Sequence, residues 1–595
     1  MKSISVKFNP QQQAAINHHE GACATIAAAG SGKSTVLVNR IDKLISHHGV
    51  PEEEILAISF TNNASEELKN KLKALGHTNV NTGTFHNICG KLLAKEGIYF
   101  AHDKLIQDWQ IEKALSAVYS ADIDVGDIKG FIAYQKCYLK SYNDEFAEKE
   151  SNYSESELRL FYKTYEDYKK RNELHDFDDY LHKALNMLKA NPKKYTYDYI
   201  LVDEHQDSDK VNNLLIRELT RSGNVFVVFD YRQAIYEWKG SNPEYCMNFY
   251  KDWDDATVIN LDLNYRSCRN IVQKANRFIE RYYGNYAHYS EAIPFRQEDG
   301  KINILTYLDR ETEAKKIVDD IAGLLDAKEK PNEICVLYRL NEQSTHIEHE
   351  LMKRDIDYDI VSDGSFFKRK EIAGILGYLK LIINPHDDGA FLDVFKMRNY
   401  PLAFFSGKLL EDIKRYAGVR NLSYYEALSD YNYQADWQRK NAILFADYIT
   451  KLRLQKDKGL SAGELISNII KAFEIHKYIE DKYKNPDEKK ERLDSLNTLM
   501  SFVRSENPES FLKYVSNTRK KSKGKSVVKL MSVHASKGLE FKYVFLVGIQ
   551  DSKFPHERST LLSEARLFYV AVTRSKDNLT ISQIGTGNVF VEQYR

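Results

Sequence analysis

Short runs of β-branched and apolar residues recur along the chain, each followed by apolar positions three and four apart. That is the pattern of buried parallel strands joined by crossover helices. Runs at Ala22–Ala29, Ile55–Phe60, Tyr199–Asp203, Val225–Phe229 and Val258–Leu261 predict one α/β core. Runs at Ile302–Thr306, Ile334–Tyr338, Val527–Val533, Val544–Gly548 and Leu579–Gln583 predict a second. Two long stretches break the pattern. Lys91–Ala190 is dense in Lys, Glu and Tyr at helical spacing and carries no strand signal, and Phe366–Lys525 is similar. Each interrupts an α/β region that resumes after it, so each reads as a mainly helical insertion. The expected division is 1–90 and 191–267 for the first core with 91–190 inserted, and 268–365 and 527–595 for the second core with 366–526 inserted. The run Arg519–Ser526, RKKSKGKS, reads as a linker or a solvated loop. With Asp363-Gly364-Ser365 it supplies hinges on which the second insertion can swing.

A length of 595 residues exceeds what one core supports and fits about three or four domains. No segment approaches the ~18 uninterrupted apolar residues of a membrane span, and MKSISVKFNPQQQ has no apolar stretch of the secretory kind. The expectation is a cytoplasmic protein with no membrane partner. Cys23, Cys89, Cys137, Cys246, Cys268 and Cys335 are scattered without metal-ligand spacing and read as reduced structural thiols. The 85 basic and 85 acidic residues balance, which argues against a passive DNA-coating protein. A motor that releases its track every cycle is less constrained, because it confines basic residues to one groove.

The segment ATIAAAGSGKST places an apolar strand before the loop Ala27, Ala28, Ala29, Gly30, Ser31 and Gly32, then runs through Lys33, Ser34 and Thr35 into helical VLVNRIDKLI. This is the context of a P-loop, although Ala27 stands where the consensus has glycine. Gly30 and Gly32 let backbone N–H groups turn toward phosphate oxygens at a helix N-terminus. Lys33 supplies a cation, and Ser34 a hydroxyl for Mg²⁺. Farther on, YDYILVDEHQDSD is an apolar strand ending in Asp203 and Glu204. The pair suits one acid on the Mg²⁺ shell and one polarising the attacking water of ATP hydrolysis.

From here a resemblance becomes specific. Phe8-Asn9-Pro10-Gln11-Gln12 looks like the Q motif of UvrD/Rep helicases and DEHQD like their motif II. ISFTNNASEEL (Ile58–Leu68) is similar to motif Ia, and GTFH (Gly83–His86) to motif Ib. FDDY from Phe177 resembles the LDFDD element, QAIYEWKG from Gln233 motif III, LNYRS from Leu263 motif IV, and VLYRLNEQS from Val336 its neighbour. VHASKGLEF from Val533 resembles motif V, and ARLFYVAVTRSK from Ala565 motif VI. The motifs keep the family's order from residue 8 to residue 576. The resemblance implies two RecA-like P-loop NTPase domains, ATP bound between them, and single-stranded DNA across their tops, with movement 3′ to 5′. It implies that Gln12 reads adenine, Tyr265 stacks on the base, Glu540 meets the ribose, Gln233 senses the γ-phosphate, and Arg266 and Arg574 act as arginine fingers. Arg40 reads either as a border of the base or as a helix-surface arginine.

A track for single strands needs aromatic platforms and backbone contacts. Phe60, Phe177, Tyr236 and Trp238 are the candidate platforms, and Thr61, Asn62, His86, Arg339, Asn341 and His534 the candidate backbone contacts, with a core histidine as the other reading of His86. Lys239 stands where the family has arginine and loses the bidentate fork, so weaker coupling of hydrolysis to DNA is expected. The chain stops soon after motif VI, leaving no expected room for a nuclease domain or long tail. The expected substrates are single strands and single-strand/duplex junctions, with a protein loading or processivity partner. The alternative is the motor subunit of a recombination, phage-replication or antiviral complex, one that translocates but unwinds poorly alone.

Overall fold

A computed structural model of the chain describes residues 7–119, 123–361, 366–483, 486–503, 507–520 and 526–595. It contains two compact units, Met1–Ile302 with Phe554–Leu579 and Val589–Arg595, and Asn303–Lys553 with Thr580–Asn588.

The first unit is built on a six-stranded sheet of β1 (Cys23–Ala27), β2 (Ile55–Ile58), β3 (Asn81–Gly83), β4 (Tyr197–Val202), β5 (Thr220–Phe229) and β6 (Thr257–Leu261), in the order β3-β2-β4-β5-β1-β6. Every pairing is parallel. Ala24 of β1 lies opposite Val227 of β5 and Val258 of β6, so β1 is flanked on both sides, and its unbroken apolar run CATIA is buried throughout. Of the helices α1 (Pro10–Asn17), α2 (Lys33–Ser46), α3 (Asn62–Ala74) and α4 (Phe85–Lys95), all but α2, which follows Gly32, start where side chains satisfy orphan N–H groups. Asn9 forms a capping box with Gln12, Thr61 Oγ1 accepts from Ala64 N–H, and Thr84 Oγ1 accepts from Asn87 N–H. Val36, Leu37 and Ile41 of α2 pack with Ala27, Leu201 and Phe226 in the core. A short parallel pair, β7 (Leu263–Asn264) and β8 (Ile293–Pro294), follows.

Between α4 and β4 the chain forms α5 (Asp108–Ser116), α6 (Val125–Cys137), α7 (Glu155–Arg171) and α8 (Phe177–Ala190), of which α5, α6 and α7 share a core of Ile111, Leu115, Ile128, Ile132, Phe161 and Tyr165. Beside that core lies a charged cluster. The Nζ of Lys136 on α6 is 2.6 Å from Asp176, 2.9 Å from Asp179 and 2.9 Å from Glu166, and Lys169 on α7 reaches the same three carboxylates. These carboxylates approach one another closely enough to hold a cation, and the two ammonium groups already supply that charge. Burial alone would raise the Asp176 carboxyl, but Lys136 and Lys169 outweigh it and hold it well below the usual carboxylate range. We predict that Lys136→Met destabilises the unit by about 3–5 kcal/mol at neutral pH, because it strands buried carboxylates. A carboxyl depressed by folding contributes stability that is full above its unfolded value, about 3.9, and is lost as pH falls through its folded value. The penalty should therefore be flat near pH 7 and shrink in acid. Urea melts of both proteins at pH 7 and pH 3.5 measure this, and equal stability at pH 7 would rule it out.

The second unit has a six-stranded sheet of β9 (Lys301–Tyr307), β10 (Ile334–Tyr338), β11 (Tyr358–Ile360), β12 (Val528–Ser532), β13 (Phe541–Ile549) and β14 (Ser575–Ile584), in the order β11-β12-β10-β13-β14-β9. Its core joins Ile317 and Ile321 to Val336, Leu530 and Phe545. The helical stretch between β11 and β12 has a separate core, drawn entirely from residues Phe366 to Val515.

All ten predicted runs are strands, nine of them with shifted ends. The brief and half-buried β3 and β11 have no apolar run to announce them. Among the described residues, 91–190 contains no strand beyond an isolated Leu105–His175 bridge. Asp363–Ser365 and residues 521–525, expected as hinges, lie outside the described residues.

Candidate active site

The loop after β1 is shaped by two left-handed glycines, Gly30 at φ +72° and Gly32 at φ +84°. Gly30 is also sterically required, since a Cβ there would meet the Arg266 Cβ at 2.6 Å. Asn264, the last residue of β7, and Tyr265 after it clamp the loop. Asn264 Nδ2 donates to the Ala29 carbonyl at 2.7 Å, and its Oδ1 accepts from the N–H groups of Arg266 and Ser267. The Tyr265 N–H donates to Gly30 O at 3.0 Å. Gln12 supports the loop from below, donating to Ser31 O at 3.0 Å, while Asn9 Nδ2 donates to the Tyr265 hydroxyl at 3.0 Å. Gln12 and Tyr265, both expected near the base, are thus joined through Asn9. Ser34 and Thr35 are exposed in the first turn of α2.

β4 pairs with β2 and β5 and delivers Asp203 and Glu204 beyond its end. Glu204 sits in the left-handed region at φ +51°, uncommon for a residue with a side chain and a form of local strain found at functional sites. Its carboxylate is 3.3 Å from Lys33 Nζ and accepts from Gln206 Nε2. Burial first, and Glu204 beside it second, push the Asp203 carboxyl up to about 7. From Glu204 a line of hydrogen bonds leads away from the P-loop. Gln206 Oε1 accepts from the Asp230 N–H at 3.0 Å, Asp230 Oδ2 accepts from Gln233 Nε2 at 2.7 Å, and Gln233 Oε1 accepts from Arg574 Nη2 at 2.9 Å. Arg574 also donates to Val570 O and Thr573 Oγ1, and Arg266 Nη1 donates to Thr573 O at 3.1 Å. Burial, then the neighbouring Arg266 charge, lower Arg574 to about 9. Two arginines so close together, one of them fully buried, are arranged for an anion.

Arg40 is not a helix-surface arginine. Arg40 is 1% exposed, donates to the carbonyls of Ala15 and His19, and lies 4.4 Å from the Phe226 ring centre. It ties α2 to α1 across β5 because its long stem and planar head fit between them. The core reading of His86 also fails, since His86 is exposed and meets Phe177 edge-on at 6.2 Å.

Four residues past Gln233 the chain turns through Glu237–Lys239. Trp238 is 59% exposed and Phe177 62% exposed, unusual for rings this large, while Tyr236 is half-buried and stacked on Phe60 at 5.8 Å. Lys239 Nζ stands 5.2 Å from the Tyr236 ring centre and 4.9 Å from that of Trp238, so the residue that replaces the family's arginine still braces both rings. Thr61 and Asn62 are exposed at the start of α3. In the second unit Arg339 and Asn341 follow β10 and His534 follows its parallel neighbour β12, which places the three at one end of that sheet. Glu540 immediately precedes β13, also parallel to β10, and so lies toward the other end.

The sequence did not mark Asn9, Asn264 or Asp230, whose role is to hold other residues. Asn264 left one signal, an amide inside LNYRS next to a glycine-rich loop it can reach only in the fold.

A P-loop, a carboxylate pair behind a buried strand and two neighbouring arginines, one of them bonded to Gln233, define a nucleotide-hydrolysing P-loop protein. Residues 8–254 match the model of the UvrD/REP helicase N-terminal domain and residues 259–586 that of the UvrD-like helicase C-terminal domain, so the chain belongs to the UvrD/Rep helicase family. It is 30% identical to the ATP-dependent DNA helicase PcrA of Bacillus subtilis, over 98% of this chain and 83% of that protein. It is also 30% identical to PcrA of Staphylococcus epidermidis, over 99% and 85%, and to PcrA of Leuconostoc citreum, over 98% and 82%. Among the described residues no helix is long and apolar enough to cross a membrane.

Proposed function

We propose that the chain is an ATP-dependent single-stranded DNA translocase and DNA helicase that moves 3′ to 5′ and acts at single-strand/duplex junctions. The observation that carries this reading is the hydrogen-bonded line from Lys33 and Glu204 through Gln206, Asp230 and Gln233 to Arg574, in which Gln233 belongs to the same short segment as the exposed Trp238. Hydrolysis and strand contact then share one structural element. Lys33 binds the outer phosphates, Glu204 accepts the proton of the attacking water, Gln233 senses the terminal phosphate, and Arg266 and Arg574 stabilise its charge. The Ser34 hydroxyl and Asp203 carboxylate are hard oxygen donors of the kind that suits Mg²⁺, which when bound neutralises phosphate charge. Helical stretches 91–190 and 366–526 are insertions in two RecA-like cores, and the protein works in the cytoplasm.

Duplexes with a 3′ tail, a 5′ tail or no tail test the function and its polarity together. We expect unwinding of the 3′-tailed substrate alone. Trp238→Ala should uncouple translocation from hydrolysis, since a stacked base is worth about 1–3 kcal/mol. Unwinding that requires a 5′ tail would overturn the polarity. Translocation without unwinding by the isolated chain would place it as the motor of a larger assembly.

A further inference from the structure

We propose that helix α6 of the first insertion positions both exposed aromatic platforms, and that Lys149 is the positioning residue that fixes the Trp238 loop. The inference rests on the reading of Trp238 as a base platform and goes beyond it by assigning the insertion a part in strand binding.

The loop lies against the end of α6. Lys149 Nζ donates to the carbonyl of Gly130 within α6 at 2.7 Å and to the carbonyl of Trp238 at 3.3 Å, over the ring of Tyr134. Cys137, the last residue of α6, donates from Sγ to the carbonyl of Lys239 at 3.4 Å. The carbonyls of Trp238 and Lys239 end a single helical turn, where acceptors lack partners of their own, and the insertion supplies both donors. The contact has no slack. Gly240 takes φ +102°, and a Cβ there would stand 2.7 Å from the Cys137 Cβ.

The other face of α6 holds the second platform. Lys136, adjacent to Cys137, is bonded to Asp176 and Asp179, the two residues of the capping box that starts α8, and its carbonyl accepts from His182 on that helix. Phe177 is the first residue of α8. Consecutive residues of one helix thus anchor the backbones beneath Trp238 and Phe177. A ring held this way loses little freedom when a base stacks on it, which is how preorganisation strengthens binding. Lys149, in the segment after α6, touches neither the P-loop nor either arginine in any contact above. Its loss should change how the strand binds and leave hydrolysis chemistry alone.

The test compares Lys149→Met, which keeps the stem and removes the donor, with Lys149→Arg, which keeps donors, and with Gly240→Ala, which pushes the loop off α6. Trp238→Ala runs beside them, and cooperative melting confirms folding of each. In Lys149→Met and Gly240→Ala we expect the oligo(dT) concentration that half-saturates ATPase to rise roughly fivefold or more. DNA-free ATPase and the KM for ATP should not move, quenching of Trp238 emission by oligo(dT) should fall, and Lys149→Arg should restore both DNA readouts. If Trp238→Ala weakens DNA binding while Lys149→Met and Gly240→Ala do not, the positioning role is wrong and the platform reading stands. If Trp238→Ala itself has no effect, the platform reading fails and takes the inference with it.

Discussion

Arg574→Ala is expected to slow DNA-stimulated ATP turnover by about 10³–10⁵-fold, the contribution of an arginine finger in other phosphoryl-transfer enzymes. The guanidinium is buried, its charge is disfavoured by burial and by Arg266, and it donates to Gln233 Oε1 at 2.9 Å. A phosphate beside Arg574 and Arg266 would offset that cost. Single-turnover hydrolysis at saturating ATP, with nucleotide affinity measured separately, isolates the effect. A folded variant whose turnover stays within tenfold of the parent would show that the arginine only braces the fold.

Glu204→Gln should reduce turnover by about 10²–10⁴-fold, the usual worth of a general base. Lys33→Ala should abolish it. The two variants should part company in binding. Lys33 is paired with Glu204 at 3.3 Å, so incoming phosphates must draw the ammonium away from a carboxylate. Removing the carboxylate's charge while keeping its shape ends that competition, and Glu204→Gln should bind nucleotide at least as tightly as the parent. Lys33→Ala should bind it far more weakly. Titration with a fluorescent ATP analogue separates them, and normal steady-state ATPase in either variant would remove the motor reading.

Much of this was legible in the chain because the buried strands are continuous apolar runs, and a parallel sheet covered on both faces imposes that pattern. The candidate site residues were legible for a related reason. A P-loop or a strand ending in Asp203-Glu204 needs particular residue types at adjacent positions. What stayed hidden joins positions far apart, as Asn9 meets Tyr265, Asn264 meets Ala29 and Lys149 meets Trp238. No local spacing encodes such contacts. Arg40 shows the converse, because a lone arginine on a helix looks solvated until the fold buries it beneath Phe226. The short β3 and β11 escaped notice because their place in the sheet comes from neighbours more than from their own composition.

The separate helical core of the second unit bears on how the chain is made. Its members run without interruption from Phe366 to Val515, whereas the sheet beside it needs strands from Lys301 to Ile584. A growing chain therefore has everything required to close the helical core while β12, β13 and β14 are still unsynthesised. Contacts near in sequence form first because they cost less loop-closure entropy. The early strands β9, β10 and β11 then wait, with apolar faces uncovered, beside a body that is already folded. The insertion that divides the sheet in the sequence is the part of that unit able to fold before the sheet is complete.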